Sequence, residues 1–184
     1  MRIQSQNELK KITLSSIIIA LAIALGYALA FIPNVELVTF TLAFGGAILG
    51  YARGPIIGAL GFLLYSILSP YGMAPPPLIV AQVLGGAVIG LGGAILGRSY
   101  KKMGSRWIFI LISLCVGLIS TFIYDLLTNL GSYIVVATSA TLIPFLIGGI
   151  SFSLIHIASN SMIFAILFPA ILRLTRKFSE LAEH

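Results

Sequence analysis

Long apolar runs broken by short polar clusters repeat along the whole chain. In ITLSSIIIALAIALGYALAFI, apolar positions dominate for about twenty residues, the length a helix needs to cross a bilayer. Six segments of this kind are expected, over residues 12–32, 36–52, 55–69, 76–97, 107–129 and 144–172. The third is short, and the sixth is long enough to tilt or to emerge from the lipid. None shows the period-two alternation of a half-buried strand. The pattern predicts an all-α integral membrane protein, a six-transmembrane-helix bundle forming a single domain over 1–184.

Composition agrees with that reading. Apolar residues make up 59% of the chain and charged residues 9%, against about a quarter charged in soluble domains. Mean hydropathy is +1.09. The opening MRIQSQNELKK is polar rather than a short basic leader, and no cleavage pattern follows it, so the first helix is expected to be retained.

Charge then orients the bundle. Arg2, Lys10 and Lys11 precede the first segment, and Arg53 separates the second from the third. Arg98, Lys101, Lys102 and Arg106 separate the fourth from the fifth, and Arg173, Arg176 and Lys177 follow the sixth. These are all 11 basic residues, and a six-helix layout puts every one on the same side. The positive-inside rule makes that side cytoplasmic, with both termini inside. The net charge of +6 is thus a topology signal. It does not indicate nucleic-acid binding, because the cations are split among loops at the membrane edge. A basic face for anionic lipid or a cytoplasmic partner stays open. The single Cys115 cannot form an internal disulfide, and within an apolar segment it behaves as a small apolar residue.

Counting upward from the cations at about 1.5 Å per residue puts four polar residues at similar depth. Glu36 is roughly 25 Å above Arg53, Gln82 roughly 24 Å above Arg98, Asp125 roughly 28 Å above Arg106 and His156 roughly 25 Å above Arg173. Asn34 lies just above Glu36. Asn129 is one turn beyond Asp125 on the same helix face, and Asn160 one turn below His156 on its face. Glu36 also suits a helix N-terminus, where the dipole favours a carboxylate. Gln82, His156 and Asn160 sit inside apolar segments, where polar groups face the bundle interior or a cavity. Interhelical hydrogen bonds would satisfy them equally well.

Two loops frame this layer. SPYGMAPPP, 69–77, carries three prolines near its end and is expected to be stiff and extended. TNLGSYIVVATSATLIP, 128–144, is uncharged and long enough to be a lid. Tyr65, Tyr71 and Tyr133 lie near the same surface, where an interfacial aromatic belt is the simpler explanation for Tyr133.

Small residues mark packing faces. Ala20, Ala24 and Ala28 repeat at four-residue spacing in the first segment, with Ala22, Gly26 and Ala30 beside them, a pattern that lets another helix approach closely. GGAILG occurs at 45–50 and again at 92–97, each time shortly before an arginine, although six residues do not establish an internal repeat. GGAILGRS at 92–99 is close to a phosphate loop with arginine in place of lysine. That motif needs a strand before it and a helix after it, and here it lies inside a membrane segment. No nucleotide site, HExxH pattern or convincing nucleophile remains, so any ATP hydrolysis belongs to another chain.

PNVELVTF at 33–40, the YARGP turn at 51–55, YDLLTN at 124–129 and HIASNSMIFAILFP at 156–169 occur in an order that resembles the substrate-binding S component of an energy-coupling factor (ECF) transporter. The resemblance covers nearly the whole chain and is weak for substrate. It implies a prokaryotic inner-membrane subunit, not itself an enzyme, that binds a vitamin or vitamin precursor near the outer face. Such a subunit docks on a membrane coupling subunit carrying two ATPases, topples in the bilayer and releases the ligand inside. The resemblance assigns Ala20, Ala24 and Ala28 to the coupling-subunit contact. It assigns Gln82, Asp125, Asn129, His156 and Asn160 to the substrate site, with Glu36 at its edge or gate. No resident cofactor or metal is implied.

A cobalamin-like ligand is the leading expectation, with His156 as a conceivable axial cobalt ligand. Riboflavin, pyridoxine, a thiamin precursor and queuosine precursors are the other candidates. A nickel or cobalt carrier would be expected to have a His-rich N-terminus, which is not present. Two further classes stand beside the S component. An ion-coupled secondary transporter or channel would use Glu36, Asp125 and His156 as a proton or cation path, but no matching polar layer lies below mid-membrane. An integral-membrane enzyme would rest on two carboxylates and one histidine without a motif.

Overall fold

The computed structural model describes residues 2–136 and 141–182, with side chains over 6–136 and 141–175. Residues 137–140 of the expected 128–144 loop, the chain ends at 1 and 183–184, and the side chains of Arg2, Arg176 and Lys177 lie outside the described residues. The described residues form six helices and no strand: α1 (Arg2–Ala28), α2 (Val38–Leu49), α3 (Gly54–Ile67), α4 (Pro76–Lys102), α5 (Arg106–Val136) and α6 (Leu142–Ala182). Four of them, α1, α4, α5 and α6, are long and apolar enough to cross a membrane.

The other two are shorter than the sequence suggests. The expected 36–52 contracts to the 12 residues of α2 and the expected 55–69 to the 14 of α3, roughly 18 and 21 Å of helix against a hydrocarbon core of about 30 Å. Local chemistry sets the ends. The Glu36 carboxylate accepts the Thr39 N–H at 2.9 Å, satisfying a free donor in the first turn of α2. At the other end Gly50 takes a φ of +79°, a backbone conformation that glycine adopts without strain and that ends the helix. Pro55 then sits in the first turn of α3, where its missing N–H costs nothing. An ion pair between Arg53 and Glu8 ties the α2–α3 turn to the early part of α1. Near the far end of α1, Gly26 lies against Val38 and Tyr65.

The long helices overrun their expected bounds. α1 starts at Arg2 rather than 12 and ends at Ala28 rather than 32, and Thr13, Ser15 and Ser16 each bond back to a carbonyl of their own helix. α4 continues from 97 to Lys102, and α6 starts at Leu142 and runs past 172 to Ala182. The largest correction is in α5, which extends to Val136, so residues 128–136 of the expected lid are helical. Nothing in TNLGSYIVV stops a helix, and a Cβ at Gly131 would meet Ala81 and Pro77 of α4 at 2.9–3.0 Å, so this stretch packs instead of looping.

α4 is the centre of the bundle, packed between the α2–α3 pair and α5, with α6 against α5 and reaching α2, and α1 against α2 and α3. Its glycines make this possible. Gly86 and Gly90 lie against the carbonyls of Gly58 and Gly54 on α3, while Gly93 and Gly97 lie against those of Ala43 and Ala47 on α2. The two GGAILG copies therefore pack on one another, with α2 and α4 running parallel and α3 antiparallel to α4. Backbones this close gain dispersion contacts that do not depend on expelling water. On the other side of α2, Phe40 meets Phe168 with ring centroids 5.1 Å apart, and Phe164 lies edge-on to Phe40 and tilted against Phe168. Large apolar side chains such as Ile17, Leu60, Val80, Leu111 and Phe122 project outward, as on a lipid-facing surface.

Candidate ligand-binding site

The polar positions meet at the end of the bundle opposite the cations. After α1 the chain turns at Asn34, whose φ of +58° is tolerated by asparagine better than by most residues. The Asn34 carbonyl accepts the Ser159 hydroxyl of α6 at 2.7 Å, which fixes the turn and carries Glu36 inward. His156 of α6 then stands between two carboxylates. Its Nδ1 is 2.6 Å from Asp125 Oδ1 on α5, and its Nε2 is 3.5 Å from Glu36 Oε1. Carboxylate oxygens only accept, so an imidazolium ring satisfies both contacts. Asn160, fully buried, donates to Glu36 Oε1 at 3.4 Å. Three separate segments are thus joined through one histidine.

Two cavities flank this cluster. The first, about 330 Å³, lies among the end of α1, the following turn, Tyr65, Tyr71 and Tyr124. The second, about 250 Å³, lies among α4, α5 and α6 and is lined by Gln82, Asp125, Thr128, Asn129, Phe152 and Ser153, with Tyr124 and His156. His156, Tyr124 and Asn34 line both. Gln82 Oε1 accepts from Ser66 at 2.6 Å, and Asn129 donates to Ser153 at 3.1 Å. Asp125 Oδ2 and Asn160 Oδ1 are buried with no partner. Buried polar atoms are normally hydrogen-bonded, so each is an acceptor open to a donor.

The expected single pocket is therefore divided. Gln82, Asp125, Asn129 and His156 do come together in the second cavity. Glu36 lines only the first, and Asn160 lines neither. It supports the carboxylate of Glu36 from behind. Tyr124 was not singled out from the sequence although it lies within YDLLTN. Its ring packs on Phe62 with centroids 4.7 Å apart and lies 6.1 Å from His156. Ser153 shares a helix face with His156 three residues away, a signal the helical period carries. On α1, Ala20, Ala24 and Ala28 are exposed while Ala22 and Gly26 are buried against the bundle. Among the described residues, no group of three His, Cys, Asp or Glu side chains is arranged to hold a metal ion.

No protein-family model, curated protein or solved structure matches this chain.

Proposed function

We propose that this chain is the substrate-binding S component of an ECF-type importer, a six-span subunit with both termini inside that captures a micronutrient at its outer face. The observation that carries this reading is the Glu36–His156–Asp125 cluster, with Asp125 buried and its two partners half-buried, which walls two cavities at one end of an otherwise apolar bundle. The described cations at the other end, from Lys10 to Arg173, support the orientation. Among the described residues no ionisable side chain other than tyrosine and cysteine bridges the two ends, which gives an ion-coupled path nothing to run through.

The ligand in this reading is a small vitamin or vitamin precursor with a polar edge. Its N–H or O–H donors meet Asp125, and its flat or apolar part lies against Tyr124 and Phe152. Cobalamin fits this geometry less well than the resemblance alone would suggest. Both ring nitrogens of His156 face carboxylates, leaving none for cobalt. Cavities of about 330 and 250 Å³ also lie near and below the lower bound of the small-molecule range of about 300–1,000 Å³.

In this mechanism the exposed Ala20–Ala24–Ala28 face docks on a coupling subunit, and ATP hydrolysis by partner subunits drives reorientation and release. Ala24→Phe separates the two tasks, because bulk on this face blocks close helix approach. In right-side-out vesicles holding the complete transporter, uptake of external ligand should be lost while the isolated variant binds with wild-type affinity. Uptake at the wild-type rate would remove α1 from coupling, and loss of binding together with uptake would place α1 in the site.

A further inference from the structure

The largest cavity of the three, about 680 Å³, lies at the cationic end and has no place in ligand capture. It opens between the α4–α5 turn and the late turns of α6. Its apolar lining includes Tyr100 and Phe109, packed edge to face at 5.0 Å, with Pro169 and Leu174. Arg106 and Arg173 line the same space from two different helices. Both are exposed, and neither makes an ion pair among the described residues. The described acids are committed elsewhere: Glu8 to Lys11 and Arg53, Glu36 and Asp125 to His156. Trp107, next to Arg106, is 77% exposed, and indole rings favour the headgroup level of a membrane. A cavity beside such a residue suits the depth where a lipid phosphate meets its acyl chains.

We propose that this cavity is a binding site for an anionic phospholipid. Its phosphate is held between the Arg106 and Arg173 guanidiniums, and its acyl portion lies along Phe109 and Leu174. Guanidinium forks match phosphate oxygens in paired hydrogen bonds, and basic pockets between membrane helices take such headgroups. This assignment does not depend on what the opposite end binds.

Trp107 is the sole tryptophan and adjoins Arg106, which lines the cavity, so its fluorescence reports on lipid held beside that arginine. The full chain is reconstituted in phosphatidylcholine bilayers containing either brominated phosphatidylglycerol or brominated phosphatidylcholine. Quenching by the anionic lipid should saturate at low mole fraction, with a preference of roughly thirtyfold for two arginines. Arg106→Gln combined with Arg173→Gln should reduce it to the phosphatidylcholine level. Lys101→Gln combined with Lys102→Gln removes equal charge outside the cavity and should leave the preference in place. Excess inorganic phosphate should not displace the lipid. Displacement by phosphate would overturn the lipid assignment in favour of a soluble anion. Equal loss in both double variants would reduce the effect to diffuse surface charge and overturn the site. Equal quenching by the two lipids would also overturn it, leaving the arginines to an acidic segment of a partner chain.

Discussion

Adding one methyl group at Gly93 is expected to break the contact between α2 and α4. A Cβ there would land on the carbonyl of Ala43, which is backbone and cannot rotate aside. The helices must separate, and the neighbouring contact of Gly97 with Ala47 would open with them. Overpacking of this kind costs about 1–3 kcal/mol, occasionally more. Gly148 of α6 is the matched control, because a Cβ there meets nothing within 4 Å. Alanine at that position gains up to about 1 kcal/mol of helix propensity. In detergent, Gly93→Ala should unfold at a clearly lower temperature than the wild type, and Gly148→Ala at the same or a higher one. Equal melting of the two variants would contradict the glycine seam.

A still larger loss is expected from His156→Ala, which leaves the buried Asp125 carboxylate and the half-buried Glu36 carboxylate without their shared partner. Removing one member of a buried ion pair costs about 3–5 kcal/mol, chiefly because the remaining charge is stranded. The stranding explanation makes a second, opposite prediction. Adding Asp125→Asn to His156→Ala removes one stranded charge and should recover part of the stability, although the double variant has lost more native groups. Thermal unfolding of the two proteins at one pH decides it. A double variant no more stable than His156→Ala would mean that packing, rather than charge, is what the histidine supplies.

Much of this arrangement is legible in the sequence because lipid solvation is a strong constraint. Apolar length located all six helices, and counting residues up from the arginines placed Glu36, Gln82, Asp125 and His156 at similar heights. The ends of the helices were not legible in the same way. Hydropathy says which residues tolerate lipid, not where hydrogen bonding stops, so α5 continued through Thr128–Val136 where a loop was expected. Short α2 and α3 followed from local events, the Glu36 carboxylate at one end and Gly50 at the other. The small-residue pattern on α1 was visible, yet only packing distinguishes the buried Ala22 and Gly26 from the exposed Ala20, Ala24 and Ala28. Depth also carries no azimuth. For that reason the layer was legible, but its division into two cavities by His156 and Tyr124 was not.

The central claim, that the polar end captures a small molecule, is tested most directly by native mass spectrometry of the chain purified from its own membrane. The account predicts one bound micronutrient-sized molecule on the wild type. Gln82→Ala and Asn129→Ala, which leave the His156 contacts intact, should each weaken its binding roughly ten- to a hundredfold, the cost of about 1–3 kcal/mol for an unpaired polar group. A wild-type protein that carries no ligand, or folded variants that hold it with undiminished affinity, would contradict the account.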